Sequence, residues 1–382
     1  MRSLIPIIKV NYCFKDVIKS FFISSTTDKY LKRLEKEIKQ YFRTENVLLT
    51  SSGRDALYQI IRRVPKSKVL VPAYTCDVVV DACLLAGKEV VFSHIDGDNL
   101  NMREPYDIDE DTIVIATHQY GNPCDIEHIR DICTFKKALL IEDCAGALGL
   151  RINGKLAGSF GDYAFFSMNS SKLITAPAVG GFVLSNKPNG FKDVIFDNNK
   201  RSDFVFKVRS LCKSIALCCS ANPFLNYYLS CIVNNNKQAQ FIPAEQYEPK
   251  LPKKSTYGKG FYNWQAYSVH KQFVLIDELV EKRRQLIDEY KRSGVLNLFP
   301  KVFSCTPYGN RLAVYVPNRS EFVEACHKKG VAIGTGFSHY ICPLSYNQDI
   351  EIASHIVYLP LSSSYSSEEV KKIMSSLKEV LL

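Results

Sequence analysis

A chain of 382 residues is too long for one small core and calls for two or more domains. Hydrophobic residues at 46% and charged residues at 23% are those of an ordinary soluble globular protein. The formal charge of +10 favours anionic partners such as phosphorylated small molecules. No zinc-finger spacing and no aromatic RNA-binding motif accompanies that charge, so nucleic acid is not expected as a partner.

The N-terminus begins Met1-Arg2-Ser3 but is broken by Pro6, Lys9 and Asn11, which makes a poor signal peptide. Leu31, Leu34, Ile38 and Phe42 recur at helical spacing behind a Ser/Thr/Asp start and predict an amphipathic helix over 28–44. Ser51-Ser52-Gly53-Arg54 then opens a second helix that runs through Arg63. Val69-Leu70-Val71 is a short buried strand ended by Pro72. A helix is expected at 78–85 and strands at 89–92, 112–117 and 138–142, with a helix at 125–135 between the last two.

Strands alternating with helices predict a mostly parallel sheet covered on both faces. Ligands bind such sheets at the carboxyl ends of the strands. The informative segments fall there: Ala73-Tyr74-Thr75, His118-Gln119-Tyr120-Gly121 and Asp143.

Residues 190–258 break the rhythm and read as an insertion bounded by loops. Its apolar part, 204–233, is interrupted by Asn222-Pro223, which predicts two short helices and no spanning one. A long helix is expected at 268–290, with Val274, Ile276, Leu279 and Leu286 facing a core. Strands at 312–316 and 356–361 and helices at 321–329 and 367–381 complete the chain. The expected domains are a large α/β unit over 1–258 and a smaller α+β unit over 259–382. The thirteen cysteines are scattered and include no C-x-x-C pair, which points to buried reduced thiols and a cytoplasmic setting.

Three residues concentrate the chemistry: Asp143 at a strand end, Ser167, and Lys172 shortly after it. Singly, each has an ordinary reading. A strand-end acid is often structural, a Ser-Gly before a helix is often an N-cap, and a lysine is usually on the surface. The order and the intervening sequence carry more. Ser52-Gly53, Val71-Pro72-Ala73-Tyr74-Thr75, His118-Gln119-Tyr120-Gly121 and Glu142-Asp143-Cys144-Ala145 come first. Gly154-Lys155, Gly158, Gly161-Asp162, Phe166-Ser167 through Lys172, and Gly180-Gly181 follow. Tyr262-Asn263, Gly334-Thr335-Gly336 with His339-Tyr340, and Leu359-Pro360-Leu361 close the series. In this order they resemble the DegT/StrS-type sugar aminotransferases, which have the fold type I architecture of enzymes that use pyridoxal 5′-phosphate (PLP).

The resemblance implies a set of roles. Lys172 would form the Schiff base with PLP and shuttle the proton. Asp143 would pair with the pyridinium nitrogen, whose charge makes the ring an electron sink. Ser167 and the backbone of Gly53 and Arg54 would hold the phosphate. Asn263 would reach a neighbouring subunit's phosphate in a homodimer. His118, His339 and Tyr340 would lie on the substrate side. The amino donor would be glutamate and the acceptor a nucleotide-linked keto sugar, in polysaccharide biosynthesis. No metal is implied.

Four positions depart from the family pattern. Cys76 stands where an aromatic stacks on the cofactor ring, so Tyr74 or His118 is expected to supply a face instead. Gly146 replaces a Gln or His that meets the cofactor's phenolic oxygen. Val179 replaces an acid and Gln265 an Arg. A member that binds PLP without turnover, serving regulation or assembly, is the alternative. A sugar dehydratase of this family would carry histidine in place of Lys172. The 204–233 segment, with Lys207, Arg209 and Lys213 at its start, is expected to fold onto the dimer and help cover the site. Contact with an anionic membrane surface is the competing expectation.

Overall fold

The computed structural model describes residues 3–24, 27–105, 107–191, 204–233, 260–303, 306, 308–337 and 341–382. Helices α1 (Phe14–Phe21) and α2 (Lys29–Phe42) precede β1 (Val47–Thr50) and α3 (Gly53–Ile61). Then come β2 (Lys68–Pro72), α4 (Asp77–Leu85), β3 (Glu89–Ser93), β4 (Thr112–Thr117), α5 (Ile126–Lys136) and β5 (Leu139–Asp143). A small ribbon, β6 (Arg151–Ile152) and β7 (Lys155–Leu156), leads to β8 (Tyr163–Ser167) and β9 (Gly181–Ser185).

Seven of these strands form one sheet in the order β1-β9-β8-β5-β4-β2-β3. The neighbours β3, β2, β4, β5 and β8 are parallel, and β9 runs antiparallel to both β8 and β1. Strands β4 and β5 are buried along their whole length, as expected for parallel strands covered on both faces. All carboxyl ends except that of β9 lie at one edge of the sheet, where β9 begins. Two glycines permit the closest approaches near that edge. A Cβ at Gly181 would stand 2.5 Å from the Gly53 nitrogen, and Gly121 sits at φ +85° with room for none.

The apolar 204–233 segment forms two helices, α6 (Phe204–Ser220) and α7 (Pro223–Val233), as the Asn-Pro interruption predicts. Asn222 Oδ1 accepts from the Phe224 and Leu225 N–H groups at 2.9 and 3.3 Å and so caps α7. One face of α6 packs through Leu211 on Val10, Tyr12 and Val17 of the N-terminal segment. Among the described residues no helix is long and apolar enough to cross a membrane.

The helix expected at 268–290 is in fact two, α8 (Asn263–Phe273) and α9 (Ile276–Arg292). The chain turns at Val274-Leu275, and both side chains are exposed, Val274 at 57%. Val274 therefore does not face a core, whereas Ile276, Leu279 and Leu286 do. The break lets α8 lie along α2, with Ala266, Val269 and Phe273 in the same core as Leu34, Ile38 and Phe166. The expected boundary at 258/259 is thus crossed by packing: α8 and the start of α9 join the large domain's core. Ile5, near the N-terminus, joins the smaller one.

The smaller domain is built from β10 (Lys301–Val302), β11 (Leu312–Tyr315), α10 (Arg319–Lys328), β12 (Gly334–Thr335), α11 (Asn347–Ser354), β13 (Ile356–Leu359) and α12 (Ser367–Leu381). Its four strands are ordered β10-β11-β13-β12. Helix α12 starts with a reciprocal cap: Ser366 Oγ accepts from Glu369 N at 3.2 Å, and Glu369 Oε2 accepts from Ser366 N at 2.9 Å. The twelve described cysteines are all free thiols.

Candidate active site

Beyond the strand ends lies a cleft of about 540 Å³ between the two domains. Its floor is made by residues that leave the sheet: Thr75 and Cys76 after β2, Thr117 and His118 at the end of β4, Asp143 ending β5 and Ser167 ending β8. Ser52, Gly53 and Arg54 at the start of α3 close one end. Asn310, Arg311, Thr335, Gly336, Phe337 and Tyr358 form the opposite wall. Lys172 lines the same space.

The start of α3 has the chemistry to hold an anion. Ser52 Oγ accepts from Asp55 N at 3.1 Å, so this hydroxyl caps the helix. The N–H groups of Gly53 and Arg54 have no intrahelical acceptor by helix geometry and remain for a ligand. Ser167 stands against them: a Cβ added at Gly53 would lie 3.2 Å from Ser167 Cβ.

Asp143 is buried, and burial raises its carboxyl above the usual range. One of its oxygens, Oδ1, accepts from Ala145 N at 2.9 Å. Its neighbour Glu142 points the other way, into the core. There it accepts from the N–H groups of Gly158, Phe160 and Gly161 at 2.8, 2.6 and 2.7 Å. Alternation along β5 therefore gives adjacent acids opposite work, one fixing a loop and one facing the cleft. Lys172 follows a turn closed by its own N–H on Asn169 O at 2.9 Å. Burial, and next the charge of Arg311, lower its pKa, which favours the free amine.

A lysine amine, a buried acid and a helix N-terminus with a serine hydroxyl are what a phosphorylated, nitrogen-heterocyclic aldehyde needs. The residues present fit PLP.

Other expected site residues are placed differently. Tyr74 does not line the cleft. It is buried among residues of the smaller domain, with its hydroxyl 2.5 Å from that of Tyr120 and its ring 4.9 Å from that of Phe337. It cannot cover a cofactor ring, and Cys76 itself occupies that wall. Burial pushes the Cys76 thiol up to about 12, so it is a neutral packing group.

His118 lines the cleft but is held inward. Its Nε2 lies 3.2 Å from Glu142 Oε2, and its Nδ1 accepts from Cys124 N at 3.3 Å. Asn263 is absent from the cleft lining. Its Oδ1 accepts from Tyr30 N at 2.7 Å and its amide donates to Ser24 O and Thr27 Oγ1 at 3.0 and 2.9 Å. The whole amide is spent joining α8 to the start of α2, which leaves no donor for a neighbour's phosphate.

Gln265 likewise looks inward, donating to Pro177 O and Val179 O at 2.8 and 2.9 Å and so fixing the loop after Lys172. Beside Gly146, a recess of about 10 Å³ is walled by Lys172, Arg283, Tyr308 and Asn310. His339 and Tyr340 lie outside the described residues.

The sequence reading missed Asn310 and Arg311. Both backbone N–H groups donate to Tyr120 O, at 2.7 and 3.2 Å. Tyr120, at φ +57°, turns that carbonyl toward them. The signal was the His-x-Tyr-Gly turn itself, whose glycine allows the close approach of residue 310.

A seven-stranded sheet with one antiparallel member, and a cleft that gathers a lysine, a strand-end acid and a helix N-terminus, has the architecture of the fold type I PLP-dependent transferases. Comparison with known proteins narrows this. The sequence profile of the DegT/DnrJ/EryC1/StrS aminotransferase family matches residues 11–199, and the chain belongs to that family. GDP-perosamine synthase of Vibrio cholerae is 35% identical over 189 residues, 48% of this chain and 50% of that protein. The matched stretch thus spans about half the length of that curated relative.

Two solved structures share the fold along nearly the whole chain. DesV of S. venezuelae, in complex with a ketimine intermediate, has a TM-score of 0.73 at 18% identity, covering 99% of both chains. NtdA of Bacillus subtilis, with bound cofactor PMP, has a TM-score of 0.68 at 19% identity, covering 96% of this chain and 81% of its own.

Proposed function

We propose that this protein is a PLP-dependent aminotransferase that moves an amino group from glutamate to a keto group of a nucleotide-linked sugar. The observation that carries the reading is the meeting of Lys172, Asp143 and the α3 N-terminus in one cleft at the strand ends. When bound, PLP supplies the electron sink that lets a C–H bond next to nitrogen ionise. Lys172 supplies the covalent anchor and, once released, an amine base that moves the proton at that carbon. Its lowered pKa suits it to the second task. Asp143 holds a proton on the ring nitrogen. The Gly53 and Arg54 N–H groups and the Ser167 hydroxyl hold the phosphate.

The acceptor class is proposed from the family and from the GDP-perosamine synthase likeness, and a cleft of this volume has room for a sugar beyond the cofactor. Lys172 in place of histidine supports amino transfer over sugar dehydration. A homodimer is part of the proposal on family grounds, with Asn263 removed from its support. His339 and Tyr340 are kept as substrate-side residues in the proposal, and His118 as a positioning group for the cleft floor.

Absorbance spectroscopy tests the reading. PLP-loaded protein mixed with glutamate is expected to lose its pyridoxal band and gain the pyridoxamine band, and a nucleotide-linked keto sugar is expected to reverse the change. A cofactor band unmoved by glutamate or any other amino acid would leave the binding protein without turnover as the better reading.

A further inference from the structure

Arg311 lines the cleft immediately before β11, and it is only half-buried. Its backbone is fixed by the bond from its N–H to Tyr120 O, and its guanidinium lies over the Tyr358 ring, 4.3 Å from the centroid. Among the described residues that guanidinium makes no hydrogen bond and no ion pair. The charge around it is one-sided. Asp143 is the only acid among the described residues that line the cleft, against Arg54, Lys172 and Arg311. Arg283, buried just behind, adds another cation and spends one N–H on Asn310 Oδ1 at 2.8 Å. A partly desolvated cation with a fixed ring contact and unused donors is a place where a ligand's anion is expected to complete the pairing.

We propose that Arg311 binds the α-carboxylate of the amino donor, with its guanidinium edge forking onto the two carboxylate oxygens while Tyr358 supports its face. This deepens the aminotransferase reading and rests on it. The competing anion in the same cleft is the diphosphate of a nucleotide-linked acceptor. Bond connectivity decides between them. The α-carboxylate is two bonds from the nitrogen that is transferred, and that nitrogen takes the place of the Lys172 amine. The carboxylate must therefore lie beside Lys172. A nucleotide's phosphates lie several bonds beyond the reacting sugar carbon. Arg311 and Lys172 line the same cleft, and after burial the charge of Arg311 is among the causes that lower the lysine's pKa, in keeping with that closeness.

The test uses PLP-loaded wild type, Arg311→Leu and Arg311→Lys, with cofactor content and thermal melting measured to verify folding. Calorimetry with glutarate, a dicarboxylate that cannot transaminate, and with GDP, UDP and dTDP reads the two kinds of anion separately. Stopped-flow absorbance reads the glutamate concentration needed for half-maximal conversion. Arg311→Leu is expected to weaken glutarate binding and raise that glutamate concentration about 100-fold, leaving nucleotide binding within about twofold. The lysine variant is expected to recover part of the loss, because it keeps the charge without the fork.

Unchanged glutarate binding in Arg311→Leu overturns the inference. So does a loss confined to the nucleoside diphosphates, or wild type that binds no glutarate. Glutarate binding needs no turnover, so failure at Arg311 and failure of the reaction are told apart: the glutamate-dependent spectral change alone reads the reaction.

Discussion

The two walls of the cleft are held in different ways. On one side Thr75, Thr117, Asp143 and Ser167 sit at or just beyond the ends of strands bonded into a single sheet, and the register of β4, β5 and β8 fixes their spacing. On the other side Asn310, Arg311, Gly336 and Phe337 come from loops of the smaller domain. Those loops are tied down by a few bonds, chiefly from residues 310 and 311 to Tyr120 O and from Thr306 Oγ1 to Gly121 O at 3.0 Å. Groups that must meet a cofactor within fractions of an ångström gain from a sheet, while groups that choose a substrate can reside on loops. In the proposed reaction the chemistry falls to the sheet wall together with the turn after β8 that carries Lys172, and the selection to the loops of the smaller domain.

The largest expected effect is on the sheet side. Lys172→Ala removes the anchor and the base together, and glutamate-dependent conversion is expected to fall at least about 1000-fold in a folded protein. Turnover within tenfold of wild type breaks the assignment. Asp143→Ala is expected to lose more than about tenfold, which is about 1.4 kcal/mol of barrier, even with cofactor bound. A smaller loss, read by the same absorbance assay, transfers the role to another acid.

Gly121→Ala probes the loop side. The alanine must adopt φ +85° with its Cβ 2.8 Å from Asn310 N, so residues 310 and 311 have to move. The expected cost is about 1–3 kcal/mol in thermal or denaturant unfolding. Michaelis constants for donor and acceptor are expected to rise more than the cofactor dissociation constant. An equal rise in cofactor dissociation would erase the division between the walls. The smallest effect is expected from Ser52→Ala, which loses the α3 cap for about 1 kcal/mol of stability and a modest weakening of cofactor binding by titration.

Much of the sheet side was legible from sequence. Val69-Leu70-Val71 and Ile113-Val114-Ile115 are apolar runs bounded by turn residues, and they became β2 and β4 within a residue or two. Asp143 followed from its place at the end of such a run. Strands β1, β8 and β9 were harder to see. They are four or five residues each and packed against aromatic neighbours, so their period does not distinguish them from other apolar segments.

The split of the predicted 268–290 helix was hidden because Val274 and Leu275 keep apolar helical spacing while facing outward. Tyr74 and Asn263 were misplaced for a related reason. A motif gives a side chain's position along the chain but not its direction, and both residues found partners inside their own chain. Arg311 had no recognisable motif around it. Its place in the cleft depends on a backbone bond to Tyr120, 191 positions earlier in sequence.

Whether Lys172 carries the cofactor can be read chemically. Borohydride reduction of the PLP-loaded protein, followed by proteolysis and mass spectrometry of the peptides, locates the covalently fixed cofactor. A single labelled peptide carrying the modification on Lys172 is expected. Label on a different lysine, or none in a protein that retains the cofactor's absorbance, would contradict the assignment.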